Sequence, residues 1–309
     1  MTGELLALAA LAMFSTNIII TKVASARLNV GTGFLISVIV NTLFCLLLFG
    51  MEGAFFRDAP LVFDGRGIVM FVLAGICSTY LGRWFFFEAI ARLGPARASL
   101  FQVSSPLFTV VIAWLFLGEA LGPLTLAAML CTIVGLFVVS APASVWKRSR
   151  AGTVANAPLR RDWRVWARSG VAIGTGSAVA YALGSVLRGA AVRQWNEAIL
   201  GALLGAIAAL ILHLVVGAGR RQLGELRGAD RTALALYSLG GVLTILAQIA
   251  TIASMRHIPV AISAVITLCT PLLVIPASIV LLKNQERIGA ITLVGAALAL
   301  SGMVVIVLA

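Results

Sequence analysis

The sequence predicts an all-α integral membrane protein with ten transmembrane helices in two inverted five-helix repeats. Three observations support this fold class: a shortage of charged residues, ten long apolar segments, and a similarity between the two halves of the chain. Of 309 residues, 61% are hydrophobic and 11% are charged, and the mean hydropathy is +1.07. A soluble domain carries about a quarter charged residues, so this chain has too little polar surface to face water. It must therefore contact a lipid bilayer.

Each apolar segment is long enough to cross the hydrocarbon core, which takes about 20 mostly apolar residues in a helix. The segments lack the period-two alternation of strands, which favours helices. The predicted spans are 4–25, 31–50, 67–90, 97–117, 122–141, 168–190, 197–217, 232–254, 259–282 and 288–308.

A basic segment at mid-chain, residues 142–167, contains Pro, Gly and several Arg and is typical of a linker. It separates two halves, 1–141 and 168–309, whose sequences resemble each other, most clearly 94–122 and 258–289. Because each half has an odd number of spans, the second copy is inverted relative to the first, as in many alternating-access transporters. The aligned pairs are Lys22 with Arg188, Arg83 with Gln248, Pro106 with Pro271, Glu119 with Glu286, Gly122 with Gly289, and Gly135 with Gly302.

Three stretches carry a resemblance to a known family: FSTNIIITKVA at 14–24, FFFEAIARLGPARASLFQVSSPLFTVVIAWLFLGEAL at 85–121, and the matching part of the second half. Together they resemble the EamA-type branch of the drug/metabolite transporter superfamily. The resemblance implies two EamA-like five-helix repeats and the export of amino acids or other small metabolites. The second half departs from the pattern at 283–286, where Lys-Asn-Gln-Glu stands in place of Leu-Gly-Glu.

The basic residues of the loops are distributed unequally between the two sides of the membrane. Sixteen lie on the side of the linker, whereas only Arg57, Arg66, Arg193 and Arg256 lie on the side of the termini. Cytoplasmic loops carry the excess of Lys and Arg, so the charge count predicts a cytoplasmic linker and external termini. The family resemblance implies the opposite orientation, with the termini inside.

A charged side chain deep in a span is a candidate for function. Arg83 lies past the middle of the third span in an aromatic stretch, with Tyr80 and Trp84 on its side of the helix. Glu88 is five residues further on, about 140° around the axis, so it does not face Arg83 well. We predict that Arg83 binds an anionic group of a substrate; the alternative is an arginine held by backbone carbonyls.

Each half also contains a proline near the middle of a span, Pro106 and Pro271. A proline lacks an N–H and displaces the carbonyl four residues earlier, here that of Gln102 or Thr267. We predict a polar cavity wall at these kinks, the alternative being kinks that only aid packing. The predicted substrate-binding residues are Arg83, Tyr80, Trp84, Gln102, Ser105, Tyr181, Gln248, Thr267, Thr270 and Asn17, with Pro106 and Pro271 as structural kinks.

The function predicted from these features is secondary active export of amino acids or related zwitterionic or anionic metabolites. The alternatives are a multidrug cation exporter, which would need a central carboxylate that the sequence does not offer, or a non-transporting scaffold. No nucleophile–base or metal-binding pattern is visible, so we expect no enzymatic activity, metal or cofactor.

The expected partners are a small molecule and the bilayer, not nucleic acid. We expect a multi-pass location in a cell membrane, such as a bacterial inner membrane, with the protein a monomer or a homodimer.

Glu119 and Glu286 are predicted to cap the helices that follow them.

Overall fold

The computed structural model describes residues 2–25, 27–57, 60–86, 95–119, 121–140, 170–216, 230–270, 272–274, 277 and 290–308. Several predicted features lie outside these residues: the linker 142–167, Glu88, Pro271 and Glu286. The described residues contain helices and no strand, which confirms the all-α prediction.

Ten helical segments follow one another along the described chain. Five of them are long and apolar enough to cross a membrane: Thr2–Ser25, Gly31–Phe56, Gly65–Phe86, Ala198–Val215 and Arg231–Ser254. The count of ten membrane spans stays a prediction. The helices are α1 Thr2–Ser25, α2 Val30–Met51, α3 Gly65–Ala74, α4 Pro95–Leu117, α5 Pro123–Ser140, α6 Gly170–Gln194, α7 Ala198–Val215, α8 Arg231–Ser254, α9 Val260–Leu268 and α10 Ala290–Leu308.

Two of these helices continue as π-helical turns: α2 through Glu52–Phe56, and α3 through Gly75–Gly82. Aspartates begin the third helix of each half. Asp64 accepts hydrogen bonds from the backbone N–H groups of Arg66 and Gly67, and Asp230 accepts one from Thr232. Both side chains satisfy helix N–H groups that have no partner within the helix.

Helix packing follows the same scheme in both halves. Helix α1 packs extensively on α8, and its equivalent in the second half, α6, packs on α3. Likewise α2 packs on α8, as α7 does on α3, while α5 packs on α10. These pairings are those expected of two related halves that interlock.

Glycines allow close approach at the α5–α10 interface. A Cβ atom added to Gly135 would lie 2.4 Å from the backbone nitrogen of Ala299, and one added to Gly302 would lie 2.5 Å from the carbonyl oxygen of Ala128. The aligned glycines of the two halves thus face each other's helices in the same interface. Small residues of this kind are how membrane helices bring their backbones together.

The helix ends lie at two opposite ends of the molecule. At the terminal end, which contains the start of α1, Arg57 forms a two-pronged ion pair with Glu197 at 2.8 and 2.7 Å. At the opposite end, which we call the linker end, Arg27 pairs with Asp230 at 3.3 Å.

The predicted capping role of Glu119 is wrong in its target. Glu119 accepts a hydrogen bond from the backbone N–H of Val260, at 3.0 Å, and forms an ion pair with Arg193. It therefore caps α9 of the other half, not α5, the helix that follows it in the chain. The interlocking of the halves brings the start of α9 to the end of α4, which sequence adjacency could not indicate.

Candidate substrate-binding site

Helix α3 changes its winding immediately before Arg83. Residues Gly75–Gly82 form π-helical turns, after which the N–H of Arg83 donates to the carbonyl of Tyr80. Wide turns of this kind are often found at functional sites, because they rotate the following side chains away from regular helical positions. The sequence prediction assumed a continuous α-helix. The π-helical turns therefore change the angular positions around the helix axis that it assigned to the residues next to Arg83.

The Arg83 side chain extends away from α3 and lies close to residues of α2 and α6. Its guanidinium carbon lies 4.6 Å from the centre of the Phe34 ring on α2, a cation–π arrangement. Tyr181 on α6 lies near Arg83 and also near Gln102 on α4. The Phe34 ring in turn meets His213 of α7 edge-on, with the ring centres 5.1 Å apart.

Polar side chains connect α4, α6 and α3 at the same level. The Gln102 amide donates to the Ser177 hydroxyl at 3.3 Å, and that hydroxyl donates to the Gly82 carbonyl at 2.7 Å. The Ser105 hydroxyl, next to the buried Pro106 in the chain, donates to the Ala178 carbonyl at 3.1 Å. The structure thus brings together the predicted residues Arg83, Gln102, Ser105 and Tyr181.

The predicted aromatic residues of α3 contact one another. Tyr80 is buried, and the centre of its ring lies 6.1 Å from the centre of the Trp84 ring, with the two ring planes tilted against each other. Trp84 is 52% exposed and stacks on Phe85. Tyr80 therefore belongs to the interior beside Arg83, whereas Trp84 faces outward from the described helices.

The other predicted residues lie on α1, α8 and α9, or just after the end of α9. Asn17 contacts Gly240 and accepts a hydrogen bond from the Thr21 hydroxyl, and Gln248 is buried, its amide nitrogen having no hydrogen-bond partner in the described part of the chain. Thr267 donates to the Ser263 carbonyl at 2.8 Å, and Thr270 is half-buried.

Arg83 and its repeat mate Gln248 lie at different depths. Arg83 is about five turns from the start of α3, whereas Gln248 is less than two turns from the end of α8, and both of these helix ends lie at the terminal end. In an inverted repeat, a residue at a given depth from one membrane face aligns with a residue at the same depth from the opposite face. Two aligned residues therefore lie at the same level only at the middle of the membrane. Gln248 is therefore not placed beside Arg83.

We call the residues around Arg83 the Arg83 group: Arg83, Phe34, Gln102, Ser105, Tyr181 and Arg188. Sequence reasoning missed two of them, Phe34 and Arg188. Arg188 donates a hydrogen bond to the Thr79 hydroxyl at 3.1 Å and also lies near Tyr181 and Cys77. Its alignment with Lys22 was the only available signal. Phe34 is one phenylalanine among fifteen, and no pattern in the sequence distinguishes it.

The carboxylates lie elsewhere. In the described ranges every Asp and Glu is at a helix end: Glu4, Glu52, Asp64, Glu119, Glu197 and Asp230. The described part of the Arg83 group therefore has positive charge and neutral donors and acceptors, which is suited to an anion.

The family model of the EamA-like transporter family matches residues 1–141 and 168–308. This chain belongs to the EamA-like transporter family. Two matched regions cover nearly the whole EamA-like chain and fit its repeat architecture. Membership implies a transporter in a membrane, which acts on a small molecule.

No curated protein matches this EamA-like chain significantly. A solved structure, described as "Crystal structure of protein", matches with a TM-score of 0.68 and 21% identity, covering 99% of this chain and 98% of that one. At this identity the match supports the fold alone.

Proposed function

We propose that this EamA-like protein is a secondary active transporter that exports amino acids or related small zwitterionic or anionic metabolites by alternating access. The observation that carries the proposal is the position of Arg83, between the Phe34 ring and Tyr181, close to Gln102. We place the protein as a multi-pass component of a cell membrane, such as the inner membrane of a bacterium.

The chemistry of the Arg83 group favours a carboxylate-bearing substrate. A guanidinium presents N–H donors in a planar fork that matches two carboxylate oxygens. Phe34 contacts the guanidinium through its ring face. Tyr181 and Gln102 add neutral groups that can accept or donate to the remainder of an amino acid.

The packing of the halves supports alternating access. Helices α3 and α6, which carry Arg83 and Tyr181, come from different halves, and so do α4 and α6. A movement of one half against the other would therefore change the distances within the Arg83 group. Transporters built from inverted repeats bind at such interfaces between repeats.

The proposal is tested by the substitution Arg83→Gln in purified protein reconstituted into liposomes. Loss of a charge-assisted contact of about 1.5–3 kcal/mol should weaken substrate affinity about ten- to a hundredfold. The matched control is Arg66→Gln, which removes an exposed arginine at the start of the same helix and should leave flux unchanged.

Flux is measured for a panel of amino acids and organic anions, and thermal unfolding in detergent is measured on the same samples. A folded Arg83→Gln protein with wild-type affinity would overturn the role of Arg83. Absence of flux for the whole panel in the wild-type protein would overturn the proposed substrate class.

A further inference from the structure

A second arginine lies in the same region as Arg83. Arg188, on α6, donates a hydrogen bond to the Thr79 hydroxyl of α3 at 3.1 Å. Thr79 lies within the π-helical turns that precede Arg83, four residues before it. The side chain of Arg188 thus reaches the turn of α3 from which Arg83 also extends.

Tyr181 links the two arginines. It precedes Arg188 by seven residues on α6, which places both side chains on one face of that helix. Tyr181 interacts with Arg83 and with Arg188, and the Arg188 guanidinium also has Cys77 of α3 as a neighbour. Tyr181 is therefore near both guanidinium groups.

The charge of this pair is not balanced by the described residues. The partners of Arg188 are neutral, namely a hydroxyl, a phenol and a thiol. The described carboxylates lie at helix ends, where Glu119 and Glu197 are occupied with Arg193 and Arg57. A guanidinium in a low-dielectric region without a described counter-charge favours a bound anion, and an anion near both side chains would supply that charge.

We propose that Arg83 and Arg188 form a two-cation site that binds a small dianion, either a dicarboxylate or a phosphate monoester. Each guanidinium takes one negative oxygen group, and the Tyr181 hydroxyl donates to the ligand between them. The site prefers such a ligand to a zwitterion with a single carboxylate. This inference rests on the proposed function in locating the substrate at Arg83, and it narrows the substrate class.

Ligand-induced thermal stabilisation of the purified protein tests the site without requiring transport. The ligands are succinate, glycerol phosphate and glutamine, the last as a zwitterion, at matched ionic strength. We expect both dianions to stabilise the wild-type protein and the Arg66→Gln control more than glutamine does. Arg188→Gln should weaken dianion binding at least tenfold and leave glutamine binding unchanged, and Arg188→Lys, the variant to use if Arg188→Gln does not fold, should weaken it less.

Three results would overturn the two-cation site: no stabilisation by either dianion, equal stabilisation by glutamine, or undiminished dianion binding in both Arg188 variants. Comparison of succinate with glycerol phosphate identifies which dianion the site prefers. Flux assays distinguish a failure of the proposed transport function from a failure of the two-cation site. Dianion binding without flux would overturn the transport function but retain the site, whereas flux of zwitterions without dianion binding would do the reverse.

Discussion

At the scale of single residues, the central question is how an arginine is accommodated inside an apolar protein. A charged side chain within a membrane helix costs up to about 2.5–3.5 kcal/mol on insertion scales, which is the value for the helix centre. Arg83 offsets part of this cost through the Phe34 ring and through Tyr181. The remaining cost is accounted for by the contact with a substrate anion that we propose for Arg83.

The geometry of Arg83 predicts the effect of a conservative change. Arg83→Lys keeps the positive charge but replaces the planar fork by a point charge, so a bidentate contact is lost. We expect a substrate KM between those of the wild-type and Arg83→Gln proteins, about five- to tenfold above wild type, at a similar maximal rate. Concentration-dependent flux in liposomes measures this. A lysine variant as weak as the glutamine variant would show that shape, not charge, dominates at this position.

Much of the Arg83 group could be predicted from sequence because depth in a span is counted directly along a helix. Arg83, Gln102, Ser105 and Tyr181 were chosen for polarity at mid-span, and they lie together in the structure. Gln248 was chosen by repeat alignment, and inversion moves it to another level. Phe34 and Arg188 depend on which helices are neighbours, which a single sequence does not encode in its periodicity.

At the scale of helices, the sequence predicted most of the described boundaries to within a few residues, because apolar length limits them, but the ninth predicted span, 259–282, extends well beyond Leu268, where α9 ends. The winding of α3 was not predicted, although Gly75 and Gly82 enclose the π-helical turns. In α9, the regular helix ends at Leu268, and the N–H of Cys269 donates to Ile266, three residues back. This break lies just before Pro271, where a kink was expected. Helix α4, in contrast, continues through Pro106.

The contact of Glu119 with Arg193 and Val260 joins the ends of α4, α6 and the start of α9. The Glu119 side chain is 7% exposed and that of Arg193 is 36% exposed, so the pair is only partly screened by solvent. Removing one partner leaves the other charge without compensation, which destabilises more than loss of both. This contact ties the two halves together at the terminal end.

A double-mutant cycle with Glu119→Gln, Arg193→Gln and the double variant tests this contact. We expect each single change to destabilise by about 1–3 kcal/mol and the double variant by less than the sum, with a coupling of about 1–2 kcal/mol. Thermal unfolding in detergent supplies the values. Strictly additive effects would show that Glu119 acts only through the backbone N–H of Val260.

At the scale of the whole molecule, the two halves are interlocked rather than adjacent. Two described ion pairs at the terminal end, Arg57 with Glu197 and Glu119 with Arg193, join the first half to the second. At the opposite end, Arg27 and Asp230 do the same. In the alternating-access cycle that we propose, opening on one side requires that contacts between the halves break at that end while they persist at the other.

The structure assigns each described helix end to one of two ends of the molecule, but the distribution of charge decides which end is cytoplasmic. The spans predicted from the sequence put sixteen loop Lys and Arg residues on the side of the linker and four on the side of the termini. Such a bias predicts that residues 142–167 are cytoplasmic and that the termini are external.

Cysteine labelling in intact cells tests this orientation. The four native cysteines are replaced by alanine, and single cysteines are introduced by Thr153→Cys in the linker and by Gly53→Cys, which is exposed at the terminal end with open space around it. A membrane-impermeant thiol reagent should label the cysteine at 53 in intact cells, and the one at 153 only after permeabilisation. The reverse pattern would establish the orientation that the family resemblance implies, with the termini inside. In that case the sixteen basic residues would face outward, and the linker end would be the exit side for an exported substrate.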